Sequence, residues 1–243
     1  MVGADDTPRP KPPRKDGHVS FAPGTFAGAD LACLRGERLL FRGLGFSLAP
    51  GGALVLIGPN GSGKSSLLRL LAGLLAPAAG GLTWEGRPVA DDREAQRARV
   101  LYLGHLEGLK PTLTVGEMLR LHARLRGGRG DPAVTAAALA VLGIGTLVDT
   151  PGRQLSAGQR RRVGLARLLV CPAPVWLLDE PTVGLDQAGL AAFRIAAATH
   201  RRAGGAIVAA THADLGLADV QPLAPADFAP DPADLGAELE DVA

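Results

Sequence analysis

Two cysteines, no long apolar run and no internal repeat remove several classes of protein at the outset. Cys33 and Cys171 stand far apart in the 243 residues and no CxxC occurs. Neither a disulfide nor a zinc site is indicated, and a reduced compartment fits. No stretch of about 18 uncharged apolar residues exists, so no segment is expected to span a bilayer. The N-terminus, MVGADDTPRPKPPRKDGHVS, carries basic residues with no apolar run behind them and does not read as a secretory signal. The expectation from these absences is a chain that stays in the cytoplasm.

What is present suits a globular body. Hydrophobic residues make up 47% of the chain, enough for a buried core, and charged residues an ordinary 21%. The length accommodates one large domain or two small ones. The net charge of +2 hides an asymmetry. From Pro222 onward the charges are Asp227, Asp231, Asp234, Glu238, Glu240 and Asp241, with no Lys or Arg. All 26 basic residues therefore face the other 18 acidic ones in residues 1–221. Such a basic body could suit nucleic acid or the face of a membrane complex. A solvated, Arg-rich surface accounts for the same charge, and nucleic acid is not expected as a partner.

Residues 1–27 are rich in Pro, Gly and charge and read as a disordered tail, as do 222–243. Between them apolar runs alternate with helical patterns, which predicts an α/β domain with a mainly parallel sheet. The expected core strands are 53–57, 100–103, 175–178 and 206–210. Helices are expected over 64–75, 157–170 and 187–201. Two further helices, 114–126 and 132–142, have no strand between them and predict a helical subdomain at about 112–165.

Residues 58–66 read GPNGSGKSS after the strand and open a helix, matching GxxxxGK[ST] in its required setting. In such a loop the backbone N–H groups of Gly58, Pro59 excepted, and of Asn60, Gly61, Ser62, Gly63, Lys64, Ser65 and Ser66 can converge on phosphates at a helix N-terminus. Lys64 adds a point charge for the β/γ-phosphates, and the Ser65 hydroxyl can ligate Mg²⁺. A second apolar strand ends in Asp179-Glu180. That order puts Asp179 by the metal and Glu180 where it can accept a proton from an attacking water. A chance glycine turn or a merely solvated acidic pair could copy either motif alone, but not both together in this order.

Leu155-Ser156-Ala157-Gly158-Gln159 precedes a basic helix, with Ser156 twenty-three positions before Asp179. This resembles the LSGGQ signature of the ATP-binding cassette (ABC) ATPases, and the resemblance covers about residues 29–221. It implies a P-loop domain at 28–221 with an antiparallel β subdomain beside the parallel core, ATP as substrate and Mg²⁺ as cofactor. It also implies a head-to-tail pair of copies in which Ser156, Ala157, Gly158 and Gln159 of one contact the γ-phosphate of the other. Ala157 replaces the usual glycine. Asp186, in Thr182-Val-Gly-Leu-Asp186, falls in the loop that joins the two sites. His212, after the strand 206–210, falls where the family's switch histidine contacts the γ-phosphate.

Two further positions depart from the general family. Arg35 stands where an aromatic normally stacks on adenine; a guanidinium can stack there too, for about 0.5–2 kcal/mol. His105 stands where a glutamine normally touches Mg²⁺ and opens the loop that meets the membrane subunit. With these departures, YLGHLEGLKPTLTVGEMLRL (102–121) resembles the haem exporter ATP-binding subunits of cytochrome c maturation systems. That narrower resemblance implies a peripheral ATPase on the cytoplasmic face of the bacterial inner membrane, docked on integral membrane subunits. Its indirect partner is a periplasmic haem chaperone, released when ATP is hydrolysed. Cys171-Pro172 matches a dipeptide of some haem-regulated proteins, but a dipeptide is a weak signal and a buried cysteine at a helix end is expected. Alternatives stay open: an ATPase for a drug or lipid exporter, a soluble cassette acting on nucleic acid or ribosomes, or a non-hydrolysing regulator. The absence of a second cassette and of a long coiled coil weighs against the soluble cassette. Intact Lys64, Asp179, Glu180 and His212 weigh against the regulator.

Overall fold

Along β7 (Val175–Asp179) and β8 (Ala206–Ala210) every residue is buried, yet successive side chains enter two different cores. Val175, Leu177, Val208 and Ala210 face one, whereas Trp176, Leu178, Ile207 and Ala209 face the other. This is the period-two pattern of a strand covered on both sides. The computed structural model describes residues 21, 24–104 and 108–230.

The strands and helices follow in chain order. A hairpin of β1 (Phe26–Arg35) and β2 (Arg38–Leu48) comes first, then β3 (Ala53–Leu56) and α1 (Lys64–Leu71). Next are β4 (Ala79–Trp84), β5 (Arg87–Pro88), α2 (Arg93–Arg99) and β6 (Val100–Leu103). Helices α3 (Val115–Leu125), α4 (Pro132–Val141) and α5 (Ala157–Val170) precede β7. Helix α6 (Gln187–Arg202), β8 and β9 (Val220–Leu223) complete the set. One sheet is antiparallel, in the order β2-β1-β4-β5; the other is parallel, in the order β6-β7-β8-β3-β9.

The parallel register places functional loops side by side. Asp179 pairs with Ala210, and Ala210 with Leu56, so β7, β8 and β3 end at one level. The segments that leave them are Glu180 onward, Thr211-His212 and the phosphate loop. A parallel sheet presents its loops for ligands at this edge. One core lies between the parallel sheet, α1 and the antiparallel sheet, with Phe26, Phe41, Leu67 and Leu71 at its centre. The other joins the opposite face to α3–α6 through Leu119, Leu139, Leu168 and Phe193.

Helix caps follow from the sequence. Thr114 and Glu117 form a reciprocal capping box at α3, as Ser156 and Gln159 do at α5. Asp131 caps α4 with Pro132 in the first turn. The region expected as a helical subdomain, 112–165, holds α3, α4 and the first part of α5.

Three boundaries differ from expectation by more than one residue. Helix α1 ends at Leu71, not Leu75, because Gly73 takes φ +70° and the Leu74 N–H turns back to the Arg69 carbonyl. The N-terminal tail does not reach residue 27. Strand β1 starts at fully buried Phe26, and the Phe21 N–H already bonds the Ala203 carbonyl at 3.1 Å. The C-terminal tail does not start at 222 either. Strand β9 runs to Leu223, a 3-10 turn spans Pro225–Phe228, and Phe228 reaches the first core. Pro222 is tolerated because β9 is an edge strand. Residues 1–20, 22–23 and 231–243 of the expected tails lie outside the described residues.

Candidate nucleotide site

Beyond β3 the chain turns through Gly58–Gly63 into α1. Gly63 caps the helix at φ +97°, and a Cβ there would stand 3.1 Å from the Phe41 ring of β2. The loop is thus backed by the antiparallel sheet, and only glycine combines that backbone with that clearance. Lys64, almost buried, folds back so that Nζ donates to the carbonyls of Gly58 at 2.6 Å and Pro59 at 2.9 Å. The Ser62 hydroxyl is buried without a hydrogen-bond partner among the described residues. Buried polar groups are nearly always satisfied, so an orphan beside a lysine and a helix N-terminus fits an anionic ligand.

Asp179, at the end of β7, accepts a hydrogen bond from the Ser65 hydroxyl at 3.1 Å. The two residues expected at Mg²⁺ therefore touch. The only tyrosine in the chain, Tyr102 on β6, adjoins this group: its hydroxyl is acted on by the Asp179 carboxylate and by Arg69 of α1. Burial pushes the phenol up from its ordinary pKa, the Asp179 charge pushes it further, and Arg69 opposes both. Sequence reasoning gave Tyr102 no role. The signal was present, a lone tyrosine on the strand beside β7, but the contact depends on strand order.

Glu180 follows with φ +47°, a left-handed backbone that costs a non-glycine residue roughly 1–2 kcal/mol. Its N–H bonds the Ala210 carbonyl at 2.8 Å, extending the β7–β8 ladder by one step. Across that step His212 brings Nε2 to 4.0 Å from Glu180 Oε1. Thr211, buried, accepts the Ala213 N–H at 3.0 Å and fixes the turn that presents His212.

The segment Ser156–Gln159 opens α5. Ser156 Oγ accepts the Gln159 N–H at 3.2 Å, and the Gln159 side chain accepts the Ser156 N–H at 2.8 Å. Ala157 is the first residue of the helix. A cavity of about 330 Å³ is lined by Ser156, Gly158, Gln159 and Asp186, and by no residue of the phosphate loop. Asp186 caps α6 by accepting the Gly189 N–H at 2.8 Å and is ion-paired with Arg162 of α5. The Gly189 N–H first, then the Arg162 charge, hold its carboxyl below the usual range.

Arg35 lies at the exposed end of β1, paired with Arg38 across the hairpin, three residues before Phe41. His105 lies outside the described residues. Cys33 and Cys171 are free and buried, and Cys171 ends α5 with its thiol pushed up by burial. Among the described residues no helix is long and apolar enough to cross a membrane.

A phosphate loop between a parallel strand and a helix, with Ser65 on Asp179 and with Glu180 facing His212, defines a P-loop nucleotide-hydrolase site. The sequence model of the ABC transporter family matches residues 41–183. The chain is 55% identical to the cytochrome c biogenesis ATP-binding export protein CcmA of Rhodospirillum rubrum, covering 87% of this chain and 90% of that one. It is 54% identical to the CcmA of Paramagnetospirillum magneticum, over 82% and 93%. A putative ABC transporter ATP-binding protein from Pyrococcus furiosus superimposes with a TM-score of 0.75 at 21% identity, over 85% of this chain and all of that one, which bears on the fold alone. The chain belongs to the ABC transporter family and, within it, to the group of cytochrome c biogenesis ATP-binding export proteins. It is accordingly an ATP-binding protein and an ATPase. Membership also implies membrane partners and pairing of ATP-binding domains in general terms.

Proposed function

We propose that the chain is the ATP-hydrolysing subunit of a membrane ABC complex that handles haem in c-type cytochrome biogenesis. In this reading its cycle drives release of a haem-loaded periplasmic chaperone. The relatives named for cytochrome c biogenesis, matched over most of the chain, support the assignment best.

The roles follow from the chemistry at the sheet edge. Backbone N–H groups from Gly58 to Ser66 cradle the phosphates, Lys64 neutralises them and Arg35 stacks on adenine. Glu180 accepts a proton from the attacking water while His212 contacts the γ-phosphate. Ser65 and Asp179 would hold Mg²⁺, which would offset phosphate charge. Two protein ligands suit an ion that takes the rest of its shell from water and phosphate oxygens.

Ser156, Ala157, Gly158 and Gln159 of a second copy complete the site, a reading supported by the cavity that Ser156, Gly158 and Gln159 line, which has no residue of the phosphate loop of their own chain. Asp186 stands in the loop between the two sites. His105 opens the loop that meets the integral membrane subunits, at the cytoplasmic face of the inner membrane.

The test is a strain in which Lys64→Ala or Glu180→Gln is the only copy. Haem staining is expected to show loss of holo-cytochrome c while haem synthesis continues. The haem-loaded chaperone is expected to co-purify with the membrane complex. Normal cytochrome c levels would overturn the haem assignment and leave the ATPase standing.

A further inference from the structure

Helix α5 carries three successive arginines with three different surroundings. Arg160 donates to the Leu155 carbonyl at 3.0 Å, at the start of its own helix, and Arg162 pairs with Asp186. Arg161 instead is buried, 4% exposed, beneath the loop that follows β7. Its Nη2 donates to the carbonyl of Asp179 at 3.0 Å and also to that of Glu180; its Nε donates to Pro181 at 3.2 Å. Three consecutive carbonyls thus converge on one guanidinium. Nη1 reaches a fourth, that of Gly104 at the end of the β6 segment, at 3.4 Å.

The residue in the middle of that run is Glu180, which holds the left-handed backbone. A backbone conformation disfavoured for glutamate persists only where its surroundings over-determine it. Here one side of the turn is fixed by the Glu180 N–H on Ala210 and the other by Arg161. The planar fork of arginine suits this task because its donors are set in fixed directions, whereas an ammonium offers a movable point charge. Arg161 belongs to the helix whose first turn carries Ser156–Gln159. One side chain therefore joins the signature helix, the Glu180 turn and Gly104.

We propose that Arg161 is a positioning residue for the Glu180 carboxylate, holding its left-handed turn from the signature helix of the same chain. The proposal rests on the reading of Glu180 as the group that accepts the proton. It predicts that the orientation of Glu180, rather than the capture of nucleotide, depends on the guanidinium.

The experiment compares Arg161→Lys, Arg161→Gln, Glu180→Gln and the Arg161→Lys/Glu180→Gln pair in the complex purified with its membrane partners. Arg161→Lys is expected to lower kcat roughly 10–100-fold, as a misplacement of about 1 Å at a reacting group does. KM for ATP is expected to stay within about threefold, and Arg161→Gln to be slower than Arg161→Lys. In the Glu180→Gln background the lysine substitution is expected to change the residual rate by less than about twofold, because it acts through a carboxylate already removed.

Full kcat in Arg161→Lys would overturn the proposal. So would an equal fractional loss in both backgrounds, or a rise in KM that accounts for the whole defect. Recovery of both Arg161 variants only as unfolded chain would also overturn it, by making Arg161 a residue of the fold. Failure of the Glu180 reading shows elsewhere, as near-normal turnover in the Glu180→Gln single variant.

Discussion

His212 and Glu180 face each other with Nε2 and Oε1 4.0 Å apart, each at the end of its own strand in adjacent positions of the parallel sheet. The gap exceeds a hydrogen bond, so the two groups are neighbours rather than a closed pair. Glu180→Gln is expected to bind ATP but to lose roughly 10²–10⁴-fold in turnover. His212→Ala is expected to lose roughly 10²–10³-fold, the range for removing one fixed polar contact to a developing charge. Single-turnover hydrolysis beside equilibrium nucleotide binding measures both. A parallel loss of affinity and rate would move either residue from chemistry to binding.

Lys64 braces the phosphate loop and would hold phosphate by exchanging partners. Its ammonium now satisfies the Gly58 and Pro59 carbonyls. Lys64→Ala removes a charge-assisted contact to phosphate, and affinity for ATP is expected to fall at least about tenfold. The same variant should lose the rise in thermal midpoint that ATP confers on the parent chain, because that rise scales with ligand saturation. An undiminished thermal shift would contradict the assignment.

How far the molecule was legible in its sequence depended on whether each feature is local. β3, β6, β7 and β8 read as apolar runs because both faces of their sheet are covered. β9 did not, since Val220-Gln-Pro-Leu223 is a half-exposed edge strand with a proline. β1 and β2 escaped individual placement because they are half exposed and their register shifts at bulges near Gly28 and Leu31. The phosphate loop, Asp179-Glu180 and Thr211-His212 are short linear motifs and could be picked out by eye. Tyr102 and Arg161 could not, because their roles in the site exist only once β6, β7 and α5 meet.

Tyr102 offers a prediction about metal. Its hydroxyl lies beside the Asp179 carboxylate, which Ser65 also touches, and is acted on by Arg69. Tyr102→Phe keeps the partly buried ring and removes only the hydroxyl beside Asp179. Loss of an outer partner of a metal ligand typically weakens metal binding about 10–100-fold. The Mg²⁺ concentration for half-maximal ATPase activity should therefore rise by at least about tenfold, with kcat at saturating Mg²⁺ close to the parent. An unchanged Mg²⁺ titration would restrict Tyr102 to packing.

Acid sensitivity should trace in large part to one buried imidazole far from these loops. His200, near the end of α6, stacks on Trp176 with ring centroids 3.9 Å apart and planes 9° apart, and Phe21 meets its edge. Burial lowers its pKa from 6.5 to about 4, against the opposing effect of the carbonyls of Ala206 and Pro174. The unfolded chain takes up a proton as pH falls through about 6.5, whereas the folded chain does so only near 4. Stability contributed by the neutral ring is thus intact above pH 6.5 and declines below it, by about 3 kcal/mol in total at pH 4. His122 is lowered to about 4 as well, by partial burial and then the Arg167 charge, and adds to the same limb. His200→Phe retains an aromatic ring on Trp176 and cannot titrate. Denaturant unfolding of the purified chain between pH 5 and 8 should show a shallower acid decline in the variant than in the parent, with the two curves parallel above pH 7. Equal slopes below pH 6.5 would assign the acid sensitivity to other groups.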